Sequence, residues 1–310
     1  MSQAHRLARL VPMDSFEAHR PKLLSLAYRV LGSMAEAEDM VQEAHLRWLS
    51  RDATPLDSER AWLERVVMNL CLDQLKSARA RRESYVGPWL PEPVPTQEGQ
   101  LAGAPVDVEA ISLAFLTLLE RLSPLERAVY VLEEAFDYSH DEVASVLGKE
   151  PAAVRQLLHR AREHVKSGRP RFAPDKATHE AMLGRFFGAV LQGDVQGVEQ
   201  LLAQQVEVRS DGGGKVRAAL NVVSGPNKVA RLLIGLAKKS SPTARFELRE
   251  VNGWPSLVGL EGDAVVSVTQ LETDGQLVFS VSMVVNPDKL SGLMSQPGAL
   301  PRLPGHEEHG

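Results

Sequence analysis

The chain has 310 residues, enough for two or three domains, with 44% hydrophobic and 24% charged residues and a net charge of −5. This overall charge does not indicate a nucleic-acid binder, so such a function depends on where the charges lie. The single cysteine, Cys71, excludes an internal disulfide and a cysteine-rich zinc site, and neither a run of roughly 18 apolar residues nor a signal peptide is found, so we expect a cytoplasmic protein.

Changes in residue pattern divide the chain into five segments. Residues 1–85 are predicted to form a helical domain, and the Pro- and Gly-rich residues 86–107 a linker. Helical periodicity over residues 108–170 predicts a second helical domain. Residues 176–290 combine helical and β-rich patterns, and residues 291–310 are predicted to be disordered.

Three helices are predicted in the first domain. The first buries Phe16, Leu23, Leu24, Ala27 and Leu31, and Ser33 with Glu36 forms a capping box that starts the second. The second helix buries a stripe formed by Ala37, Met40, Val41, Ala44 and Trp48. Its outer face mixes acidic and apolar groups, which suits a partner helix, although a solvated face is the alternative.

The third helix is predicted over about Ser58–Arg82. Leu63, Val66, Val67 and Leu70 face inward, and the other side carries Arg65, Asn69, Asp73 and Lys76. Its basic end, with Lys76, Arg79, Arg81 and Arg82, is suited to phosphate contacts. The alternative is that these cations only favour the helix macrodipole.

The second domain carries a helix-turn-helix pattern. Ser123-Pro124 predicts a helix start, and Ser139 with Glu142 a capping box for a short helix that ends at Gly148. Pro151 opens a longer helix whose inward positions are Val154, Leu157, Leu158, Ala161 and Val165. Its outer positions are Ala152, Arg155, Gln156, His159 and Arg160, which suit base edges in the major groove. The alternative is a helical hairpin with a basic face.

The two helical blocks resemble regions 2 and 4 of sigma-70 factors, the extracytoplasmic-function group in particular. The resemblance is carried by "FEAHRPKLLSLAYRVLGSMAEAEDMVQEAHLRW", "AWLERVVMNLCLDQLKSARARRE" and "LSPLERAVYVLEEAFDYSHDEVASVLGKEPAAVRQLLHRAR". Three further motifs resemble the subgroup with a fused C-terminal SnoaL-like domain: "WLPEP" (Trp89, Leu90, Pro91, Glu92, Pro93), "DGGGK" (Asp211, Gly212, Gly213, Gly214, Lys215) and "NPDKL" (Asn286, Pro287, Asp288, Lys289, Leu290).

The resemblance implies a role for each surface. The helix with Glu38, Asp39, Gln42, Glu43 and Leu46 would dock on the clamp helices of the polymerase β′ subunit, and the β subunit is an expected partner too. Promoter DNA would meet the third helix at the minus-ten element, through Trp62, Arg65, Asn69, Asp73, Lys76 and Arg79. The outer positions of the helix-turn-helix would face the minus-thirty-five element. Glu150-Pro151 departs from the family pattern, and the Glu150 carboxylate would repel phosphate at that helix start.

The resemblance implies a fold class of two all-α domains followed by an α+β SnoaL-like cone, which we expect as two helices and then a curved antiparallel sheet. Asp211 and His179 are candidate acid–base groups, but residues 206–290 contain no histidine, so we expect no catalysis, cofactor or metal. Asp211 before three glycines indicates a turn near the linker or the sigma domains. We expect this domain to control the sigma core in cis, and an unknown ligand within it is possible on sequence grounds.

Two other functions remain open from sequence. One is a helix-turn-helix regulator with a ligand-sensing domain, which leaves the first helical domain without a role. The other is an isomerase or cyclase with a DNA-binding appendage, which needs a carboxylate–histidine or carboxylate–tyrosine arrangement that the sequence does not provide.

Overall fold

The computed structural model describes residues 13–51, 56–96, 112–166 and 174–293. The chain divides into two compact units. The first comprises residues 1–81, 97–110 and 118–167, and the second comprises residues 82–96, 111–117 and 168–310. The tail predicted to be disordered lies outside the described residues from position 294 onward, whereas Leu293 is buried, 6% exposed.

The first unit begins with three helices, α1 (Met13–Leu31), α2 (Met34–Ser50) and α3 (Glu59–Glu83). Ser33 caps α2 by accepting a hydrogen bond from the Glu36 backbone amide, and the Glu36 carboxylate accepts one from Gln74 of α3. Trp48 is fully buried, as its position in the apolar stripe predicts, but Met40 is only half-buried. These contacts fix the outer faces of α2 and α3.

Four further helices follow, α4 (Leu113–Leu119), α5 (Pro124–Phe136), α6 (His140–Leu147) and α7 (Pro151–Lys166). Complete capping boxes start α5 at Ser123 and α6 at Ser139. Gly148 ends α6 in the left-handed conformation with φ +60°, so that α7 can follow after a short turn. The predicted helix-turn-helix pattern is confirmed.

The second unit contains α8 (Lys176–Gln192), α9 (Val195–Gln200), α10 (Pro226–Ala237) and α11 (Pro287–Leu290). Its strands are β1 (Leu202–Asp211), β2 (Val223–Ser224), β3 (Ala244–Val251), β4 (Trp254–Glu261), β5 (Ala264–Thr273) and β6 (Val278–Val284). They form one six-stranded sheet in the order β2-β1-β6-β5-β4-β3. The domain is α+β, as expected.

The expected antiparallel pairing holds for four of the five strand pairs. The exception is β1, which pairs with β6 in parallel. A long connection containing β2, α10 and strands β3–β5 separates these strands in sequence, which a parallel pair requires. The expectation of two leading helices also missed α10, which lies between β2 and β3.

Both faces of this sheet are covered. One face packs with α8–α10 around residues such as Phe186, Leu233 and Leu257. The other face packs Val258 with Leu90 of the linker and Leu113 of α4. Because neighbouring residues of a strand point to opposite faces, Leu257 packs in the cluster with α8–α10 and Val258 in the cluster with the linker. The first part of the predicted linker is thus packed on the sheet.

Candidate functional site

The outer face of α7 is exposed as predicted. Val154, Leu158 and Ala161 are buried and fix the orientation of the helix. The exposed positions are Ala152, Arg155, Gln156, His159 and Arg160. Arg160 approaches Glu126 of α5, with 3.5 Å between Nε and Oε1, so one of these cations is partly neutralised.

The predicted minus-ten face of α3 is a row of exposed polar groups that ends on an aromatic side chain. Arg65 and Asn69 are exposed, as are Asp73 and Lys76, which form an ion pair of 2.8 Å. Trp62 is half-buried, as its ring tilts at 56° against Trp48 with centroids 5.6 Å apart. The side chain of Arg79 lies outside the described part of the structure.

The Arg65 side chain is hydrogen-bonded to another part of the first unit. Its Nη2 donates a hydrogen bond of 2.9 Å to the hydroxyl of Ser145 on α6. A side chain predicted to face DNA is therefore held by the helix-turn-helix within the same compact unit.

A buried phenol lies at the same contact between the two helical blocks. The Tyr138 hydroxyl accepts hydrogen bonds from Arg60 at 3.2 Å and from Lys22 at 3.4 Å. Both cations also pair with the buried Glu64 carboxylate, at 2.9 Å and 3.1 Å. Burial, followed by interaction with Glu64, raises the pKa of Tyr138 above its usual range. Sequence patterning missed this cluster, because each member alone resembles an ordinary surface residue.

Arg127 of α5 is a second buried link between the blocks. It pairs with Glu120 and donates to the Arg29 carbonyl of α1 at 3.3 Å. Burial lowers the pKa of the Arg127 guanidinium to about 9. Truncation of Arg127 would remove both contacts from this buried position of the first unit.

The outer face of α2 carries the acidic and apolar mixture expected from sequence. Glu38, Asp39 and Gln42 are exposed, and Leu46 is 52% exposed. Glu43 is half-buried and accepts a hydrogen bond from Arg47 at 2.9 Å. An exposed leucine among carboxylates fits a docking surface for a protein with basic and apolar groups.

In the second unit, Asp211 at the end of β1 is fully buried and binds four donors. Its Oδ1 accepts from the Tyr85 hydroxyl at 2.6 Å and the Gly213 amide at 3.0 Å. Its Oδ2 accepts from the Leu90 amide and from Lys289 Nζ, both at 2.8 Å. The carboxylate has about four acceptor positions, so these donors occupy its capacity. Asp211 is an anchor for the linker.

Lys289 of α11 closes this cluster from the other side. Its Nζ also donates to the Leu90 carbonyl and lies 4.1 Å from the ring centroid of Trp89. Asn286 donates to the Tyr85 hydroxyl at 3.0 Å. Burial and the hydrogen bond to Asp211 raise the pKa of Tyr85. The structure thus brings together residues of all three sequence motifs.

The glycines of the loop after β1 permit this close approach. Gly213 and Gly214 have φ values of +60° and +71°, and a Cβ on Gly213 would come within 2.3 Å of the Asn286 amide nitrogen. Lys215 forms an exposed ion pair of 2.6 Å with Asp288. The remaining motif residues are Gly212, Pro91, Pro93 and Leu290, all buried, with Glu92 half-buried and Pro287 exposed.

Asn252 forms a second anchor for the linker, which sequence patterning missed. The Asn252 side-chain Oδ1 accepts a hydrogen bond from the Val94 backbone amide, and the Asn252 backbone amide donates one to the Val94 carbonyl, both at 2.9 Å. The Gly253 amide donates to Thr96 Oγ1 at 2.7 Å. Asn252 has φ +52°, and Asn-Gly between two strand patterns is the available sequence signal for this turn.

His179 of α8 is buried and its ring lies 5.1 Å from that of Trp254, centroid to centroid. Burial lowers the pKa of His179 to about 4. The two candidate acid–base groups therefore have different surroundings: Asp211 binds four donors, and His179 is in a mostly desolvated position against an aromatic ring.

Comparisons with known proteins agree with this arrangement. The ECF RNA polymerase sigma factor SigJ of Mycobacterium tuberculosis (strain ATCC 25618 / H37Rv) is 39% identical over 293 residues, covering 90% of this chain and 93% of that protein. This chain belongs to the ECF RNA polymerase sigma factor family. The probable ECF sigma factor SigI of Mycobacterium tuberculosis (strain CDC 1551 / Oshkosh) is 31% identical, covering 92% of this chain and 96% of that protein.

The crystal structure of the Mycobacterium tuberculosis extracytoplasmic function sigma factor SigJ superposes on this ECF sigma factor with a TM-score of 0.72. The two are 36% identical, with 90% of this chain and 98% of that chain covered. The Sigma-70 region 2 family matches residues 15–81, and the Sigma-70, region 4 family matches residues 112–165. The match to region 2 contains α2 and most of α1 and α3, and the match to region 4 contains α4–α6 and α7 except its last residue.

These relatives indicate a transcription initiation factor. Among the described residues, no group of three or more His, Cys, Asp or Glu side chains is placed to hold a metal ion. No helix within the described ranges of the sigma factor is both long and apolar enough to span a membrane.

Proposed function

We propose that this ECF sigma factor binds core RNA polymerase through the outer face of α2 and recognises promoter DNA through α3 and α7. The exposed face of α2, with Leu46 among Glu38, Asp39 and Gln42, supports the first part. Bacterial RNA polymerase transcribes the chromosome in the cytoplasm. A factor that binds this enzyme is therefore expected in the same compartment.

The promoter contacts are assigned by chemistry and exposure. Arg155, Gln156 and Arg160 on α7 are exposed and carry the donors that suit base edges and phosphates. Trp62 and Asn69 on α3 combine an aromatic surface with an amide, which suits an unstacked base. These roles are proposals for the upstream element and the minus-ten element respectively.

The contact between Arg65 and Ser145 is incompatible with simultaneous binding of the minus-ten and upstream elements of one promoter. Elements centred near −10 and −35 lie roughly 25 base pairs apart, which is about 85 Å of B-form DNA. A region 2 side chain within 2.9 Å of the helix-turn-helix cannot contact DNA that far from α7, because α7 follows α6 after a short turn and has 16 residues. The two regions must therefore separate before both bind one promoter.

We propose further that the C-terminal domain controls the sigma regions in cis. The observation that supports this is the anchoring of the linker between the two regions: Asp211 holds Tyr85 and Leu90, and Asn252 holds Val94. A linker fixed at these points limits the distance over which the two regions can separate. An unknown ligand of this domain remains a prediction.

Pull-down with core RNA polymerase separates the sigma factor from a regulator that binds duplex DNA alone. Stoichiometric capture of core enzyme is expected, whereas duplex binding without capture would contradict the proposal. For control in cis, transcription is compared among the full chain, a truncation after about residue 175 and a variant of the loop at residues 211–215. Equal activity of all three would contradict it.

A further inference from the structure

Gln270 on β5 places a buried amide against the start of α4. Its Nε2 donates to the Val251 carbonyl and to the Ser256 hydroxyl, both at 3.0 Å. Its Oε1 accepts from the Leu113 backbone amide at 2.8 Å. Because an amide group has two donor hydrogens on nitrogen and an acceptor oxygen, the two bonds to the sheet fix the direction in which the oxygen points.

The Leu113 amide needs this partner. The first N–H groups of a helix have no carbonyl within the helix to bind, and a buried N–H must be satisfied elsewhere. Ser112 satisfies the later amides: its Oγ accepts from Phe115 at 3.1 Å and its carbonyl accepts from Leu116 at 2.9 Å. The amide at position 113 is satisfied by a side chain that lies 157 residues away in the sequence.

Packing adds to this hydrogen bond. The Leu113 side chain is fully buried in the cluster formed by one face of the sheet, together with Leu90 of the linker. Val268 and Gln270, two residues apart on β5, point to the same face, so the apolar contact and the polar contact are made side by side. The next residue, Leu271, belongs to the cluster on the opposite face.

The contact between Gln270 and Leu113 lies where the match to region 4 begins. The match to sigma-70 region 4 begins at residue 112, yet residues 111–117 group with the C-terminal unit and residues 118–167 with the helical unit. We infer that Gln270 is a positioning residue through which the C-terminal domain holds the first turn of region 4. The inference rests on the proposed control in cis and assigns that control to region 4 as well as to the linker.

Hydrogen exchange of the full-length protein tests the contact without depending on transcription. In Gln270→Leu we expect the amides of residues 113–116 to exchange roughly tenfold faster, which is the effect of losing one buried hydrogen bond. The Leu90 amide should stay protected, because Asp211 still holds it. Leu271→Ala is the matched control, since it weakens the same strand from its other face. Unchanged exchange at residues 113–116, or an equal rise throughout β4–β6, would overturn the inference.

Transcription then tests the role in positioning. A promoter obtained from a run-off survey is used in two versions, with its upstream element intact or replaced. Gln270→Leu, and Leu113→Ala from the helix side, should change the transcript ratio of the two templates by about threefold or more. Leu271→Ala should change both templates in parallel. A ratio unchanged in both test variants would overturn the inference. Equal activity of the full chain and the truncation would instead contradict the proposed function, whatever the exchange shows.

Discussion

Lys289 and Asp211 form an ion pair of 2.8 Å in which the aspartate side chain is fully buried and the lysine side chain is 11% exposed. The pair joins α11 to the end of β1, and both partners also bind Leu90 of the linker. The three sequence motifs of this sigma factor therefore meet at one buried charge, and the linker residue Leu90 is held between the two ions.

Asp211→Asn should lower the free energy of unfolding of the C-terminal domain by about 3–5 kcal/mol, because it breaks the buried ion pair with Lys289 by removing the charge of one partner. Asp288→Asn is the matched control, as it breaks the exposed pair with Lys215 and should cost less than about 1 kcal/mol. Calorimetric unfolding of the two variants measures the difference. Similar losses in both would contradict the anchoring role of Asp211.

Stability of the C-terminal domain should fall as the pH is lowered from about 6.5 to about 4. Burial gives His179 a pKa of about 4 in the folded state against 6.5 in the unfolded state, so protons bind the unfolded chain more readily in that range. The loss from this group should be about 2–3 kcal/mol. His179→Phe should flatten the profile of denaturation midpoint against pH. An unchanged slope in the variant would argue against a desolvated histidine.

Arg65→Ala and Ser145→Ala remove the same exposed hydrogen bond but should differ in transcription. Each should change stability by less than about 0.5 kcal/mol, because both side chains are exposed. Only Arg65→Ala should reduce run-off transcription, since only it removes a group assigned to the minus-ten element. Equal reductions would mean that Arg65 acts through Ser145 and not through DNA.

Arg155→Ala should weaken recognition of the upstream element by roughly 1–3 kcal/mol if the guanidinium binds a base edge. The measurement is binding of the polymerase holoenzyme to promoters altered at single upstream positions. Arg162→Ala serves as control on the same helix, because Arg162 pairs with Glu134 at 2.6 Å. A loss for Arg155→Ala that is uniform across all promoter variants would indicate a phosphate contact instead.

Glu43→Lys should weaken binding to core RNA polymerase and leave folding intact, because the ion pair of Glu43 with Arg47 is exposed. Arg47→Ala breaks the same pair without reversing the charge of the surface at position 43, so it should bind core enzyme more tightly than Glu43→Lys does. Affinity measured with purified core enzyme and the full chain checks this. Wild-type affinity in Glu43→Lys would contradict the docking surface on α2.

The helices could be predicted because capping residues mark their ends and the spacing of apolar residues identifies their buried faces. Ser139, Glu142 and Gly148 mark both ends of α6, and the apolar spacing from Val154 to Val165 orients α7. Strand pairing depends on contacts between distant segments. The parallel pairing of β1 with β6 was therefore missed, although β6 itself was predicted.

The linker shows why part of the site was not predictable. Its prolines and glycines indicate an irregular chain, which it is, but composition does not tell whether an irregular chain is free or packed. Leu90 and Val94 are buried because Asp211 and Asn252 satisfy their backbone amides. Gln270 gives no signal at all in sequence, since a single amide in a β-rich segment is common on exposed faces as well.

Run-off transcription with purified core RNA polymerase tests the central claim most directly. Core enzyme with the full chain should give discrete transcripts from a subset of genomic promoters, and core enzyme alone should give none of them. Truncation after about residue 175 should change the yield of these transcripts. If the full chain gives no promoter-specific transcript with core enzyme while it binds duplex DNA alone, the assignment as an initiation factor under control of its own C-terminal domain is contradicted.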